Sequence, residues 1–161
     1  MGFQTTDICD DFPDLVSVCE PRFTSYGATA SFSGPISTAR VHEDNVLVRE
    51  ALEDLPPGSV LVVDGGGSKR CALLGDKLAS IAASRGLAGI VLNGCVRDSR
   101  ELSRIEVGIL ALATHPRRSN KEGAGEREVP LEFGGVRWTP AHHLYADEDG
   151  IVLAPHNLFS D

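Results

Sequence analysis

A chain of 161 residues with 42% hydrophobic and 24% charged residues is long enough to bury its own core in a single domain spanning residues 1–161. A formal net charge of −8 rules out a generally basic surface, so direct nucleic-acid binding is not expected. No apolar run reaches the roughly 18 residues needed to span a bilayer, and the acidic start MGFQTTDICDDFPD has no apolar core for a secretory signal; the protein is expected in the cytoplasm, with no membrane partner.

Residues 5–12 read as a short helix, with Thr5 or Thr6 as its cap and Asp7 in the first turn. Residues 28–41, ATASFSGPISTARV, alternate small or apolar with polar residues around Gly34-Pro35 and predict two short strands or a bent strand pair. Over residues 45–56, Val46, Leu47, Leu52 and Leu55 recur at helical spacing until Pro56-Pro57-Gly58 stops them. SVLVVDGGG, residues 59–67, is a buried strand running into a glycine turn. CALLGDKLASIAASRG, residues 71–86, predicts a helix with Leu74, Leu78, Ile81 and Ala82 on one face and Gly86 closing it. AGIVLN (88–93) is a second buried strand ending at Gly94, residues 99–105 form a short helix, and GILALAT (108–114) is a further strand.

Strand, helix and strand in succession make a βαβ unit, so part of the sheet is expected to be parallel and covered on both faces. The charged HPRRSNKEGAGERE (115–128) reads as a mobile loop, after which VPLEF, GVRWTP and GIVLAP return to strand signals. The fold class is α/β, with a mixed sheet of many short strands and no internal repeat. Cys9, Cys19, Cys71 and Cys95 show no CxxC spacing and are expected as reduced core thiols.

The chemistry concentrates in one stretch. Twenty residues separate Asp76 from Arg97-Asp98, and Glu101 follows shortly after. A guanidinium can grip a carboxylate in bidentate fashion, while a neighbouring carboxylate offers a hard oxygen to Mg²⁺ or Mn²⁺. Glu101, one helical turn on, could hold a metal-bound water. Gly75-Asp76-Lys77-Leu78 lies at or near a helix start, where free amides and the helix dipole favour carboxylates; the alternative is that Asp76 is only an N-terminal helix charge. Arg97-Asp98 equally fits a solvated turn, but it follows a buried strand at the end where α/β ligand sites gather.

VVDGGGSKR matches neither a P-loop nor the dinucleotide fingerprint, whose third glycine position is held by Arg70. It is either a tight turn or a close backbone approach to a ligand that lines the same site with amides. His42, His115, His142, His143 and His156 show no metal-binding spacing, so each is expected at the surface or in the core. Lys69 and Lys77 lack the apolar setting of a Schiff-base lysine, and Trp138 reads as core or subunit packing.

With these residues in place, the chain resembles the RraA-like family, which includes the regulators of ribonuclease E activity and the class II 4-hydroxy-4-methyl-2-oxoglutarate aldolases. The likeness runs through TTDICDDFPD, the EDN at 43–45, VLVVDGGGSKRCALLGDKLA, GIVLNGCVRDSREL, KEGAGE, the FGGV at 133–136 and ADEDGIVLAP. It implies a swivelling α/β/β sandwich and a ring-shaped homotrimer with sites between subunits. It also implies a divalent metal (Mg or Mn) on Asp98, substrate on Arg97, and an oxoacid against the backbone of Gly75 to Leu78.

The expected activity is metal-dependent cleavage of 4-hydroxy-4-methyl-2-oxoglutarate to pyruvate, with oxaloacetate decarboxylation beside it. The alternative is a regulator that binds and inhibits ribonuclease E, its acidic surface imitating RNA toward a basic partner. In the regulators best known for inhibition the position after the motif arginine is not acidic; here Asp98 and Glu101 are both present, and the resemblance then points to the aldolase branch. The chain departs from the longer aldolases in lacking their C-terminal extension, and in carrying Ala141-His142 where many relatives have Gly-Asp.

Overall fold

The computed structural model describes residues 2–159. In chain order its elements are α1 (Thr5–Asp11), β1 (Ser17–Val18), β2 (Thr24–Ser25), β3 (Phe32–Arg40), α2 (Val46–Asp54), β4 (Val60–Asp64), β5 (Ala72–Leu74) and α3 (Asp76–Ser84). There follow β6 (Gly89–Val96), α4 (Ser99–Leu102), β7 (Gly108–Thr114), β8 (Glu126–Arg127), β9 (Leu131–Phe133), β10 (Val136–Trp138), β11 (His143–Asp147) and β12 (Gly150–Ala154).

One mixed sheet runs in the order β1-β12-β11-β3-β4-β6-β7-β2, with β5 added to β6 and β8 to β3. β3, β4, β6 and β7 are parallel, as the βαβ pattern predicts. β4 stops at Asp64 opposite Asn93, and the chain returns as β5 along the last residues of β6 (Ala72↔Cys95, Leu74↔Val96). β5 thus takes the place that β4 vacates, at the end of the sheet where strand C-termini collect.

Both faces of the parallel strands are covered, which is why their sequences are almost continuously apolar. Leu61, Val63, Ile90 and Leu92 pack with Leu52 of α2 and Leu78, Ala79 and Ala82 of α3. The alternate residues Val60, Val62 and Val91 face Leu131 and Trp138 of the β9–β10 hairpin. Gly134 and Gly135 turn that hairpin with φ of 65° and 75°, the pair of positive values that a two-residue turn between twisted strands requires. Trp138 is fully buried, stacks on Phe133 at 4.6 Å and donates its indole N–H to the Phe133 carbonyl at 3.0 Å. It is core, and truncating it would cost about 3–5 kcal/mol.

Several elements differ from the sequence expectation. Residues 28–41 hold one nine-residue strand, β3, rather than two short strands or a bent pair. Pro35 is tolerated because pairing with β4 begins one residue later, at Ile36↔Val60, so its missing N–H removes no bond on that side. Residues 72–74 are strand, and the helix begins only at Asp76; a four-residue apolar run cannot by itself distinguish the two states. β6 continues through Gly94 to Val96, and α4 ends at Leu102 rather than at 105.

α1 is capped by Gln4 without a side-chain bond; Thr5 instead bonds Asp147 through both its N–H (2.8 Å) and its hydroxyl (2.6 Å). Residues 115–128 are tied down rather than loose. The buried Asp44 carboxylate accepts the N–H groups of Glu122 (2.7 Å) and Gly123 (3.0 Å), and β8 pairs with β3. All four cysteines are free thiols, three of them buried. No helix of the described residues is long and apolar enough to cross a membrane.

Candidate functional site

Two of the segments that the sequence singled out, Gly75–Leu78 and Arg97–Asp98, converge at the C-terminal end of β5 and β6. β5 and β6 are parallel, and after a one-residue register shift between Ala72 and Leu74 the Leu74↔Val96 pair lets Gly75 and Arg97 leave the sheet side by side; the Arg97 N–H closes onto the Leu74 carbonyl at 2.9 Å. Gly75 is the N-cap of α3, and Asp76 opens the helix. The Asp76 N–H donates to Asp98 Oδ2 at 3.1 Å, so the acidic residue caps the helix from across the site. Lys77 and Leu78, the next two residues of the first turn, have amides without an acceptor among the described residues.

Gly75 is the hinge of this arrangement. A Cβ there would lie 2.7 Å from Asp98 Oδ2 and 3.4 Å from Arg97 Cγ, so only glycine permits the approach. Asp98 itself is left-handed (φ 59°, ψ 41°) and forms the N-cap of α4. That conformation is uncommon for a residue with a side chain and is one that aspartate tolerates best. It turns the chain sharply off β6 and sets the carboxylate beside the α3 amides. Arg97 is half-buried, Asp98 exposed, and Arg97 forms no salt bridge among the described residues.

The residues fit a hard divalent cation better than a dedicated metal cage. Asp98 Oδ2 is engaged by Asp76, which leaves Oδ1 for a ligand, and Mg²⁺ commonly binds through one carboxylate with water and substrate oxygens completing its shell. Glu101 follows on α4 as an exposed side chain. No group of three or more His, Cys, Asp and Glu side chains suited to a metal occurs among the described residues.

The glycine segment is a turn closed on itself. Gly65 and Gly67 donate to the Asn93 carbonyl at 3.1 Å, and Gly66 donates to Asp64 Oδ1 at 2.8 Å. Its amides are therefore engaged inside the chain and do not line the Gly75–Arg97–Asp98 site. Next to it, Glu43 accepts from Ser68 Oγ and Arg70 Nε, both at 2.6 Å. The Ser68 hydrogen bond chiefly, with Arg70 assisting, holds the Glu43 carboxyl below its usual range.

Two further positions escaped the sequence reading. Asn93 is buried, donates to Asp64 Oδ1 at 3.0 Å, and leaves its own Oδ1 unpartnered. His115 follows β7 directly beside Arg97, its N–H bonded to the Val96 carbonyl at 2.9 Å. The sequence reading placed it at the surface or in the core, and it lies half-buried at the end of the strand next to β6. The cavity of about 310 Å³ between Cys19, Arg22, Phe23 and the turn at residues 147–149 lies apart from all of these residues. The site is an open edge of this chain.

Fold and site together define an α/β protein with an open edge that combines an arginine, an aspartate and two helix N-terminal amides without an acceptor among the described residues. The model of the RraA-like family, described as Aldolase/RraA, matches residues 5–153, and the chain belongs to that family. A Bacillus cereus protein provisionally named 4-hydroxy-4-methyl-2-oxoglutarate aldolase is 54% identical over 157 residues, 98% of this chain and 99% of its own. The similarly named Alkalilimnicola ehrlichii protein is 52% identical over 98% of both chains.

Among solved structures, one described as S-adenosylmethionine:2-dimethylmenaquinone methyltransferase from Geobacillus kaustophilus matches with a TM-score of 0.97 at 57% identity, covering 99% of each chain. The RNA-processing inhibitor RraA from Thermus thermophilis matches at 0.93 and 49% identity, covering 97% of this chain and 94% of that one. The mixed α/β fold expected from the sequence is the fold of these neighbours.

Proposed function

We propose that the protein is a divalent-metal-dependent carbon–carbon lyase that cleaves 4-hydroxy-4-methyl-2-oxoglutarate to pyruvate and decarboxylates oxaloacetate as a side reaction. The observation that carries this reading is the closeness of Gly75 to Arg97 and Asp98, which brings a guanidinium, a carboxylate and two free amides within one small edge. Relatives at about half identity provisionally named for this reaction support it.

Arg97 holds one substrate carboxylate in bidentate fashion, and the Lys77 and Leu78 amides hold oxygen atoms at the positive end of α3. A cation bound through Asp98 would supply Lewis acidity toward the 2-oxo group. When the C3–C4 bond breaks, its electron pair stays on C3 as the enolate of one pyruvate; C4 leaves as the ketone carbon of a second pyruvate as its hydroxyl proton passes to solvent, and a solvent proton then returns to C3. The negative charge grows beside Arg97 and the helix N-terminus, which are already oriented to receive it. Cleavage and decarboxylation develop the same charge at the same place, so one site serves both.

The open edge favours closure by a second copy, and a homotrimer with sites between subunits is the assembly proposed; sedimentation at micromolar concentration tests it. The lyase reading itself is tested by pyruvate release from 4-hydroxy-4-methyl-2-oxoglutarate and from oxaloacetate, with Mg²⁺ and then with EDTA. Metal-dependent release that Asp98→Ala removes supports it; turnover surviving that change refutes the role of Asp98.

A second reading, a protein that binds ribonuclease E, is favoured by 49% identity to the RNA-processing inhibitor and by the net charge of −8. Failure to retain ribonuclease E on the immobilised chain would remove it.

A further inference from the structure

The strands that place Gly75 and Arg97 continue their register one strand further. Leu74 pairs with Val96 and Val96 with Thr114, and the next residue of each strand is Gly75, Arg97 and His115. Arg97 donates its N–H to Leu74, and His115 donates its N–H to Val96 in the same way. Two strand spacings, about 10 Å, therefore separate Gly75, the residue that caps α3, from His115, with Arg97 between them.

The lip that carries His115 is fixed to the same edge. The Ala72 N–H donates to the Arg117 carbonyl at 2.7 Å, and Arg118 forms an isolated bridge with Ala72. Arg97, Arg117 and Arg118 have no carboxylate partner among the described residues, although acidic residues outnumber basic ones by 23 to 15 in the chain. A run of unpaired cations at one edge of an acidic protein marks a place for an anion.

His115 has a defined orientation there. Its Nδ1 accepts the Arg117 N–H at 3.0 Å, so the neutral ring carries its proton on Nε2. That Nε2–H has no partner among the described residues, and the ring is half-buried. A ring held from behind with a single free donor suits hydrogen bonding to a fixed oxygen rather than abstraction of a proton.

We propose that His115 binds the second, distal carboxylate of the substrate and so makes the site selective for dicarboxylic oxoacids over monocarboxylic ones. The assignment deepens the lyase reading above and rests on it. The substrate then spans the edge, its oxoacid end at the α3 amides and Arg97 and its other end at His115.

Asparagine separates this role from a merely structural one. In His115→Asn the side-chain oxygen still accepts the N–H two residues on, as in an Asx turn, but the Nε2 donor is gone. The experiment is calorimetric binding of pyruvate and of 2-oxoglutarate in the presence of Mg²⁺ to wild type, His115→Asn and His115→Gln. It is joined by kcat and KM for 4-hydroxy-4-methyl-2-oxoglutarate.

The expected result for His115→Asn is an unchanged melting temperature, unchanged pyruvate affinity, and 2-oxoglutarate affinity and KM weakened about 10- to 100-fold, as for a lost hydrogen bond to a charged group. Glutamine, which places an N–H near the position of Nε2, is expected to recover part of the loss. If His115→Asn weakens both acids equally, or neither, the assignment is overturned while the lyase reading stands. A wild-type chain that binds neither acid overturns both.

Discussion

Gly75→Ala offers the sharpest separation of site geometry from folding. The added methyl would sit 2.7 Å from Asp98 Oδ2, and ordinary contact begins near 3.4 Å, so the carboxylate must retreat by about 0.7 Å. Retreat breaks the 3.1 Å bond from the Asp76 N–H and moves the one acidic side chain assigned to the cation. Asp98 is exposed and can turn to water, so the fold loses little: about 1 kcal/mol for the bond and a few tenths to 1 kcal/mol for alanine at an N-cap. For a chain of this size that lowers the melting temperature by roughly 3–8 °C.

Catalysis is far less tolerant, because a misplacement approaching 1 Å costs on the order of 100-fold. Metal-dependent pyruvate release by Gly75→Ala is therefore expected to fall about 100-fold in kcat/KM while a thermal melt remains cooperative. A variant that keeps activity within threefold of wild type would refute the argument that this backbone approach builds the site.

Other consequences concern stability and reactivity. Asp44→Ala strips the acceptor from the amides of Val46, Glu122 and Gly123 in a buried setting, which is expected to cost about 3 kcal/mol, lower the melting temperature by roughly 6–12 °C, and expose residues 115–128 to limited proteolysis. Acid should destabilise the protein through the same group. Burial pushes Asp44 up, but the backbone amides outweigh it and leave the carboxyl below its ordinary value; an Arg127 hydrogen bond does the same for Asp54, and bonds from Thr5 do so against burial for Asp147. Depressed folded values mean that this stability is complete above about pH 4 and is lost as pH falls through them, so a melting temperature independent of pH between about 5 and 3 would contradict it. Burial raises the Cys19 thiol to about 11, so at pH 8 an alkylating reagent should modify half-buried Cys9 well before Cys19.

The parallel centre of the sheet was legible because its strands are buried on both faces and so read as unbroken apolar runs. The closeness of Asp76 to Arg97 and Asp98 was legible for a related reason. Between Asp76 and Arg97 the chain uses one helix to leave the sheet edge and one strand to return to it, so a fixed spacing in sequence becomes a neighbourhood in space. What stayed hidden was set by contacts between distant segments. CALL becomes strand only because β6 outlasts β4 and offers it an edge. HLYAD becomes β11 only between β3 and β12, and residues 115–128 are ordered by a carboxylate more than seventy positions earlier. The position of His115 beside Arg97 follows from the pairing of three strands, which no local pattern carries.

The structural neighbours bear the names of a methyltransferase and of an inhibitor of RNA processing, on folds superposable with this one at TM-scores of 0.97 and 0.93. A shared scaffold does not choose among such activities; the groups placed on it do. The glycine segment, the one feature suggestive of a nucleotide-like cofactor, has closed its amides onto Asn93 and Asp64 and has none to offer a phosphate or an adenosyl group. The edge at Gly75, Arg97 and Asp98 has done the opposite, leaving two amides, a guanidinium and a carboxylate oxygen open beside one another. Polar groups left without a partner in the chain and open to solvent are available to a ligand, and the set left open here matches the oxygens of a small oxoacid together with a hard cation. That contrast between a closed glycine turn and an open helix start is the physical reason to look for lyase chemistry first.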